Sequence, residues 1–124
     1  MSFTVIVLGA DAATASLVGT GATIEQRQVK IDKGEEHLTT YEMPPRIRRQ
    51  FCSTCGGSLF YFDSEFPNIM FYFPSTLDDG VHPGHFEERE YHVYVGSNAD
   101  WEFFDDGLSR HDEGIEISML SKNL

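Results

Sequence analysis

The sequence predicts a mainly β protein, built of small packed antiparallel sheets with little helix. Three observations predict it. Sixteen aromatic side chains (10 Phe, 5 Tyr, 1 Trp) are many for 124 residues, and flat rings pack well on a pleated surface. β-Branched and aromatic residues gather in short runs, several with strict alternation, which is the period of a half-buried strand. Clusters of Gly, Pro and Asp break those runs at short intervals, and these are turn residues. Short strands at such spacing suggest a small sandwich or a folded-over sheet. The length of 124 residues is that of one domain, 1–124, with chain for one core.

Taken in order, Phe3–Leu8 is β-branched and predicts a strand. Gly9–Gly21 is small and neutral, and its glycines and threonines predict a loop. Ile24–Ile31 alternates without a clean apolar face and is read as a strand. Lys33–Glu36 has the composition of a hairpin turn, which makes His37–Tyr41 the return strand. Met43-Pro44-Pro45 breaks the pattern. Arg46–Phe51 alternates again and runs into Cys52. Leu59–Phe62 and Ile69–Phe73 are strong strand signals, with the turn Asp63–Asn68 between them. Pro74–Gly84 is a loop and Tyr91–Val95 a further alternating strand. Asp100–His111 is acidic and irregular, and Glu113 onward frays or forms a last short element.

Composition excludes several function classes. Nine Lys and Arg against 20 Asp and Glu leave a net charge of −11, so little basic surface exists to displace counterions from a nucleic acid. No apolar run approaches the roughly 20 residues of a membrane helix. Phe3–Leu8 has no basic segment before it and is too short for a signal peptide. A cytoplasmic location is the expectation. Two cysteines do not make a secreted disulfide scaffold.

The sharpest local feature is Cys52-Ser53-Thr54-Cys55-Gly56-Gly57. A C-x-x-C turn followed by Gly has the shape of a zinc knuckle, with both thiolates to one side and glycines that let the chain fold back. Zinc takes four ligands at such a site, and the sequence holds no second C-x-x-C. A redox pair needs a helix N-terminus, and strands flank this motif. Two reduced thiols in a tight turn is the remaining alternative. Of the five histidines, His82 and His85 have an H-x-x-H spacing on a loop, and His92 lies inside a strand. A solvated loop and a hydrogen-bonded packing residue are the plainer readings of these. Asp78-Asp79 and Asp105-Asp106 are acidic pairs near turns. Paired carboxylates do acid–base work, and more often cap turns.

Beyond these local features, Arg49-Gln50-Phe51-Cys52-Ser53-Thr54-Cys55-Gly56-Gly57-Ser58-Leu59-Phe60 resembles the R-x-F-C-x-x-C-G-x-x-L-F signature of the glutathione-dependent formaldehyde-activating family, which also contains the centromere protein V domain. Ser75-Thr76-Leu77-Asp78-Asp79 resembles that family's G-T-L-D-D turn, and Tyr91-His92-Val93-Tyr94 is similar to its H-I-x-V strand. Trp101 and Asp105-Asp106-Gly107-Leu108 resemble its W…D-D-L-P segment, with Ser109 in place of the proline. Val29, Gly34, Leu38 and Tyr41 fit the strand–turn–strand before the signature. The motifs come in the family's order, and the match is strongest over residues 29–111.

The resemblance implies a β-tent fold and carbon–sulfur lyase chemistry that joins glutathione to formaldehyde, or acts on a related adduct. It also implies zinc. A structural zinc in that family uses an N-terminal C-x-C together with the C-x-x-C matched by Cys52 and Cys55. A second, exchangeable zinc uses a C-x-C-x-x-C. The region of the latter is about Gly9–Ser16, where Gly9, Asp11 and Thr14 stand and no cysteine does. The chain also begins too late for the first C-x-C. The expectation is therefore a divergent member without the catalytic zinc and with no cofactor, its vestigial knuckle at Cys52 and Cys55 keeping zinc at low occupancy. Candidate catalytic residues within the matched motifs are His92, Asp78, Asp79 and Trp101. Their plainer readings are fold maintenance, with His92 bonding across strands, Trp101 filling the core and Asp78 capping a turn. The partners implied are a small thiol or aldehyde adduct, no nucleic acid and no membrane. The alternative function is a non-catalytic binding module or a homodimerisation module on the same fold.

Overall fold

The central strand of the molecule starts in a segment that reads as a loop, Gly9–Gly21, and ends in one that reads as a strand, Ile24–Ile31. Gly19–Glu25 is a strand, and it is hydrogen-bonded on both sides within one ladder of eight. The computed structural model describes residues 5–8, 19–78, 90–97, 101, 103 and 105–114. Strands dominate these residues, and helix is confined to single turns of 3-10 geometry. The mainly β class with little helix is thus what the chain adopts. Among the described residues, no helix is long and apolar enough to cross a membrane.

In chain order the strands are β1 (Val5–Leu8), β2 (Gly19–Glu25), β3 (Leu38–Met43), β4 (Ile47–Cys52), β5 (Ser58–Asp63), β6 (Ile69–Tyr72), β7 (Glu90–Val93) and β8 (Ser109–Arg110). Their order across the ladder is β3-β4-β5-β6-β2-β1-β7-β8. From β3 to β1 every pairing is antiparallel. The β1–β7 and β7–β8 pairings are parallel. They join segments far apart in sequence, as a parallel pair must.

Two local expectations change. The strand read over Ile24–Ile31 ends at Glu25, and Gln26–Gln28 is a 3-10 turn. Gln26 N–H still donates to Asn68 O at 2.9 Å, tying the strand end to the turn before β6, and Val29 N–H then turns back to Gln26 O at 3.1 Å, which closes the 3-10 turn. Lys33–Glu36 does not close a hairpin, because β3 pairs with β4 instead. Gly34, at φ 87°, takes the left-handed turn that starts the 3-10 segment Glu35–His37. The segments 9–18 and 79–89, and everything from Ile115, lie outside the described residues.

The core follows from period-two alternation in β6. Ile69 and Phe71 go to one face, where they cluster with Phe66, Tyr91 and Val93, and Tyr61 and Tyr94 pack against them. Strands lie about 4.8 Å apart. Three spacings separate β6 from β7, so a flat sheet would hold their side chains roughly 14 Å apart. Their contact shows that the sheet curls onto this face. In one row across it, Tyr41 pairs with Arg49, Arg49 with Tyr61 and Tyr61 with Phe71. The Arg49 guanidinium lies 4.9 Å from the Tyr61 ring centre. Tyr61 meets Phe71 edge to face at 5.2 Å.

Candidate functional site

A register shift prepares the cysteine turn. Gln50 pairs with Phe60, whereas Phe51 pairs with Ser58, so one residue bulges from β5. A bulge bends the strand and increases its twist, and here it leads β4 straight into the loop 53–57. Two backbone bonds close that loop: Gly56 N–H donates to Cys52 O at 2.8 Å and Cys52 N–H to Gly57 O at 2.9 Å. Gly56 sits at φ 76°, in the left-handed region a side chain disfavours. A further bond, Ser53 N–H to His37 O at 2.8 Å, fastens the loop to the start of β3.

The turn carries two thiols three residues apart, Cys52 at the end of β4 and Cys55 within the loop. Both are free; Cys52 is half-buried and Cys55 exposed. The backbone N–H groups of Cys55 and Thr54 point at the Cys52 sulfur, and the Cys55 thiol adds a bond. Together they hold the Cys52 thiol below its ordinary pKa. Gly57 N–H donates to Cys55 Sγ at 3.4 Å. A Cβ at Gly57 would stand 3.3 Å from that sulfur, so glycine there keeps the approach open.

Beside the knuckle lies a cleft of about 260 Å³, lined by Tyr41, Arg49, Gln50, Phe51, Gly56, Ser58, Phe60 and Phe73. Half of these residues are aromatic: Tyr41, Phe51, Phe60 and Phe73. Arg49 supplies its cation, Gln50 and Ser58 supply neutral hydrogen-bonding groups, and no carboxylate is among these lining residues. That composition, an apolar body with a few placed polar groups, is typical of small-ligand sites.

The histidine candidate lies elsewhere. His92, on β7, is buried at 3% exposure, and its Nε2 stands 2.6 Å from Asp106 Oδ2. Asp106 Oδ1 accepts the Leu108 N–H at 3.1 Å, and Gly107 between them takes φ 74°. The Leu108 N–H first, and the His92 ring second, hold the Asp106 carboxyl below the usual carboxylate range. His111 joins the same corner. Its N–H donates to His92 O at 2.8 Å, and its ring meets Tyr91 edge to face at 5.7 Å. His92 therefore bonds across to the segment before β8.

Trp101 is 74% exposed, which overturns its reading as core filler. The core next to β7 is already occupied by Tyr61, Phe66 and Phe71. Asp78 is exposed, while Asp79, His82 and His85 lie outside the described residues. His92, Asp78 and Trp101 are not among the residues lining the cleft beside the knuckle. What sequence reading missed was Asp106 as the partner of His92. The signal was its place in the Asp105-Asp106 pair, but only the fold brings it to a residue fourteen positions away.

A family model described as glutathione-dependent formaldehyde-activating enzyme matches residues 11–97. The chain belongs to this family. Its members' type of function is glutathione-dependent activation of formaldehyde, and at that level it applies to this chain. No curated protein matches the chain.

The zinc that the family implies can be tested against the donor set. Both cysteines of the sequence are in the knuckle, and among the described residues no three His, Cys, Asp or Glu side chains converge. His37 follows Glu36 and keeps its imidazole 3.5 Å from that carboxylate, although its backbone is bonded to the knuckle. A structural zinc site is closed by four ligands. Among the described residues, the two thiols have no third donor beside them and fall short of that set.

Proposed function

We propose that the chain is a divergent formaldehyde-activating family member, of carbon–sulfur lyase type, that acts on a small thiol–aldehyde adduct without the family's thiolate-bound zinc. The observation that carries this reading is the cleft beside the knuckle, where Arg49 is the cation among aromatic walls. On a chain of net charge −11, such a spot favours an anionic ligand over the surrounding surface. A thiol-bearing peptide with free carboxylates, glutathione above all, has that charge. Arg49 would hold a carboxylate, and Phe51, Phe60 and Phe73 would exclude water from the thiol end.

The reaction conserves its proton. The thiol sulfur attacks the aldehyde carbon, a carbon–sulfur bond forms, and the carbonyl π pair moves to oxygen. That oxygen takes the proton which the thiol released. Cleavage is the reverse. Holding both partners in one cleft raises the rate by orientation alone, and Gln50 and Ser58 would bond the adduct hydroxyl. In this reading His92 keeps β7 and Asp106 in position rather than touching the substrate. A cytoplasmic location goes with it, since glutathione and reduced thiols are maintained there.

The test is exchange spectroscopy by NMR on glutathione and formaldehyde, with and without protein and chelator. The expected result is faster adduct exchange, unchanged by chelator and lost in Arg49→Met, with the melting temperature unmoved by chelator. Exchange no faster than in buffer, or exchange that requires added zinc, would overturn it. The second reading, a binding or homodimerisation module, is supported by Trp101 and Phe103, exposed at 74% and 83%. A dimer by sedimentation that Trp101→Ala and Phe103→Ala dissociate would favour it.

A further inference from the structure

We propose that Cys52 and Cys55 form a two-thiolate site for a soft monovalent metal ion, Cu(I). The donor set that fails zinc suits this ion. Zinc with two protein ligands must fill its coordination from water, whereas Cu(I) selects soft sulfur donors and is satisfied by few of them. The two sulfurs lie three residues apart on one turn, Cys52 ending β4 and Cys55 within the loop 53–57, and Cys55 Sγ accepts the Gly57 N–H at 3.4 Å. That bond takes up part of the negative charge that two adjacent thiolates build up, and it fixes the direction of the outer sulfur before a metal arrives.

The surroundings agree with a low coordination number. Among the described residues no third His, Cys, Asp or Glu joins the pair, and the nearest histidine along the chain, His37, stays beside Glu36. Residues 1–36 contain neither Cys nor His. Access is built in, because Cys55 is exposed while Cys52 is half-buried at the end of β4. On the flank toward the cleft stand Phe51 and Phe60, which keep competing water ligands off that side. The site is independent of adduct binding, so either can hold if the other fails.

The experiment is an anaerobic titration of the full reduced chain with Cu(I) held by a chromogenic bicinchoninate chelator. A parallel titration presents Zn²⁺ with a chromogenic zinc chelator. One Cu(I) per chain should leave the chelator, and both thiols should lose reactivity toward a thiol reagent. Zn²⁺ should stay with its chelator. Cys52→Ser and Cys55→Ser should each weaken Cu(I) binding by more than the roughly 10–100-fold that loss of an outer hydrogen-bond partner costs a metal site. X-ray absorption on the loaded protein should find sulfur neighbours alone, two per copper. Copper left with its chelator, zinc taken up at one per chain, a third ligand in the absorption spectrum, or either serine variant binding like the parent would each overturn the proposal. Circular dichroism of both variants should match the parent, so that a loss of binding reads on the thiols.

Discussion

His92 Nε2 and Asp106 Oδ2 stand 2.6 Å apart, joining a buried ring on β7 to an exposed carboxylate in the turn before β8. Asp106→Ala removes the partner of that buried nitrogen and the acceptor of the Leu108 N–H. Leaving a buried polar group unmatched costs about 1–3 kcal/mol. The urea midpoint should fall accordingly with an unchanged slope. A midpoint equal to the parent's would mean that the bond contributes nothing net.

The same carboxylate sets a pH dependence. Its pKa in the fold lies below the ordinary value, through the Leu108 N–H and the His92 ring. A depressed carboxylate stabilises above its unfolded pKa of about 3.9 and loses that contribution as pH falls through the folded value. The stability difference between the parent and Asp106→Asn should be flat from pH 8 to about 5 and shrink below about 4. A difference that persists in strong acid would assign it to shape rather than charge.

Tyr61 gives a prediction at the opposite end. Burial first, then the Tyr94 hydroxyl and the Asp63 carboxylate, push its phenol up to about 12. In an alkaline titration followed by tyrosinate absorbance, the Tyr61 phenol should ionise well after the ordinary tyrosine range near 10, and burial also raises Tyr72. Tyr61→Phe should remove the Tyr61 share of the late absorbance and leave that of Tyr72. The raised pKa makes this contribution to stability complete below about 10. It is lost as pH climbs through about 12.

Gly114 is a steric gate. A Cβ there would stand 2.5 Å from the Tyr94 hydroxyl and 2.8 Å from the ring carbon that bears it. Tyr94 cannot swing away freely, because it packs against the core and holds φ 56°. Gly114→Ala should lower stability by about 1–3 kcal/mol, the usual cost of overpacking. Tyr94→Phe in the same background should restore part of it. Equal melting temperatures for Gly114→Ala and the parent would show that the ring yields.

Two aromatic truncations should behave oppositely. Phe71 is 3% exposed in the middle of the cluster, and Phe71→Ala should cost about 3–5 kcal/mol. Trp101 is exposed, and Trp101→Ala should stay within about 0.5 kcal/mol. Thermal unfolding of both compares them directly. A large loss from Trp101→Ala would mean that the ring packs against something in solution.

Strands that carry their own signal were legible from composition. Ile69–Tyr72 and Ser58–Asp63 appear where alternation and aromatic content put them. The start of β2, Gly19–Gly21, was not, because Gly-Thr-Gly has loop propensity, whereas Ile24 and Glu25 fell in a segment read as strand. The position needs small residues, since Ala22 is fully buried and pairs with Tyr72 while Thr23 pairs with Phe71. Large neighbours fill the space that β2 leaves, and propensity is overridden by pairing. At the site, the knuckle was readable because its chemistry is local, from Cys52 to Gly57. The His92–Asp106 bond and the cleft around Arg49 depend on contacts between distant strands, which no window along the chain contains.

The placement of β1 bears on how the chain folds. β7 and β8 reach the rest of the ladder through β1, the first of the described strands, whose parallel partner β7 is the last but one of them. The hairpins from β3 to β6 close short loops and can form early. The β1–β7 ladder must close a long one, and its entropy is lost before any contact is gained. Joining Val5–Leu8 to Glu90–Val93 is therefore the late event of folding. On the ribosome, β1 keeps an unsatisfied edge until Glu90–Val93 has emerged. In hydrogen exchange, the amides of β7 and β8 should be the first of the ladder to open, because this late seam is where the sheet comes apart.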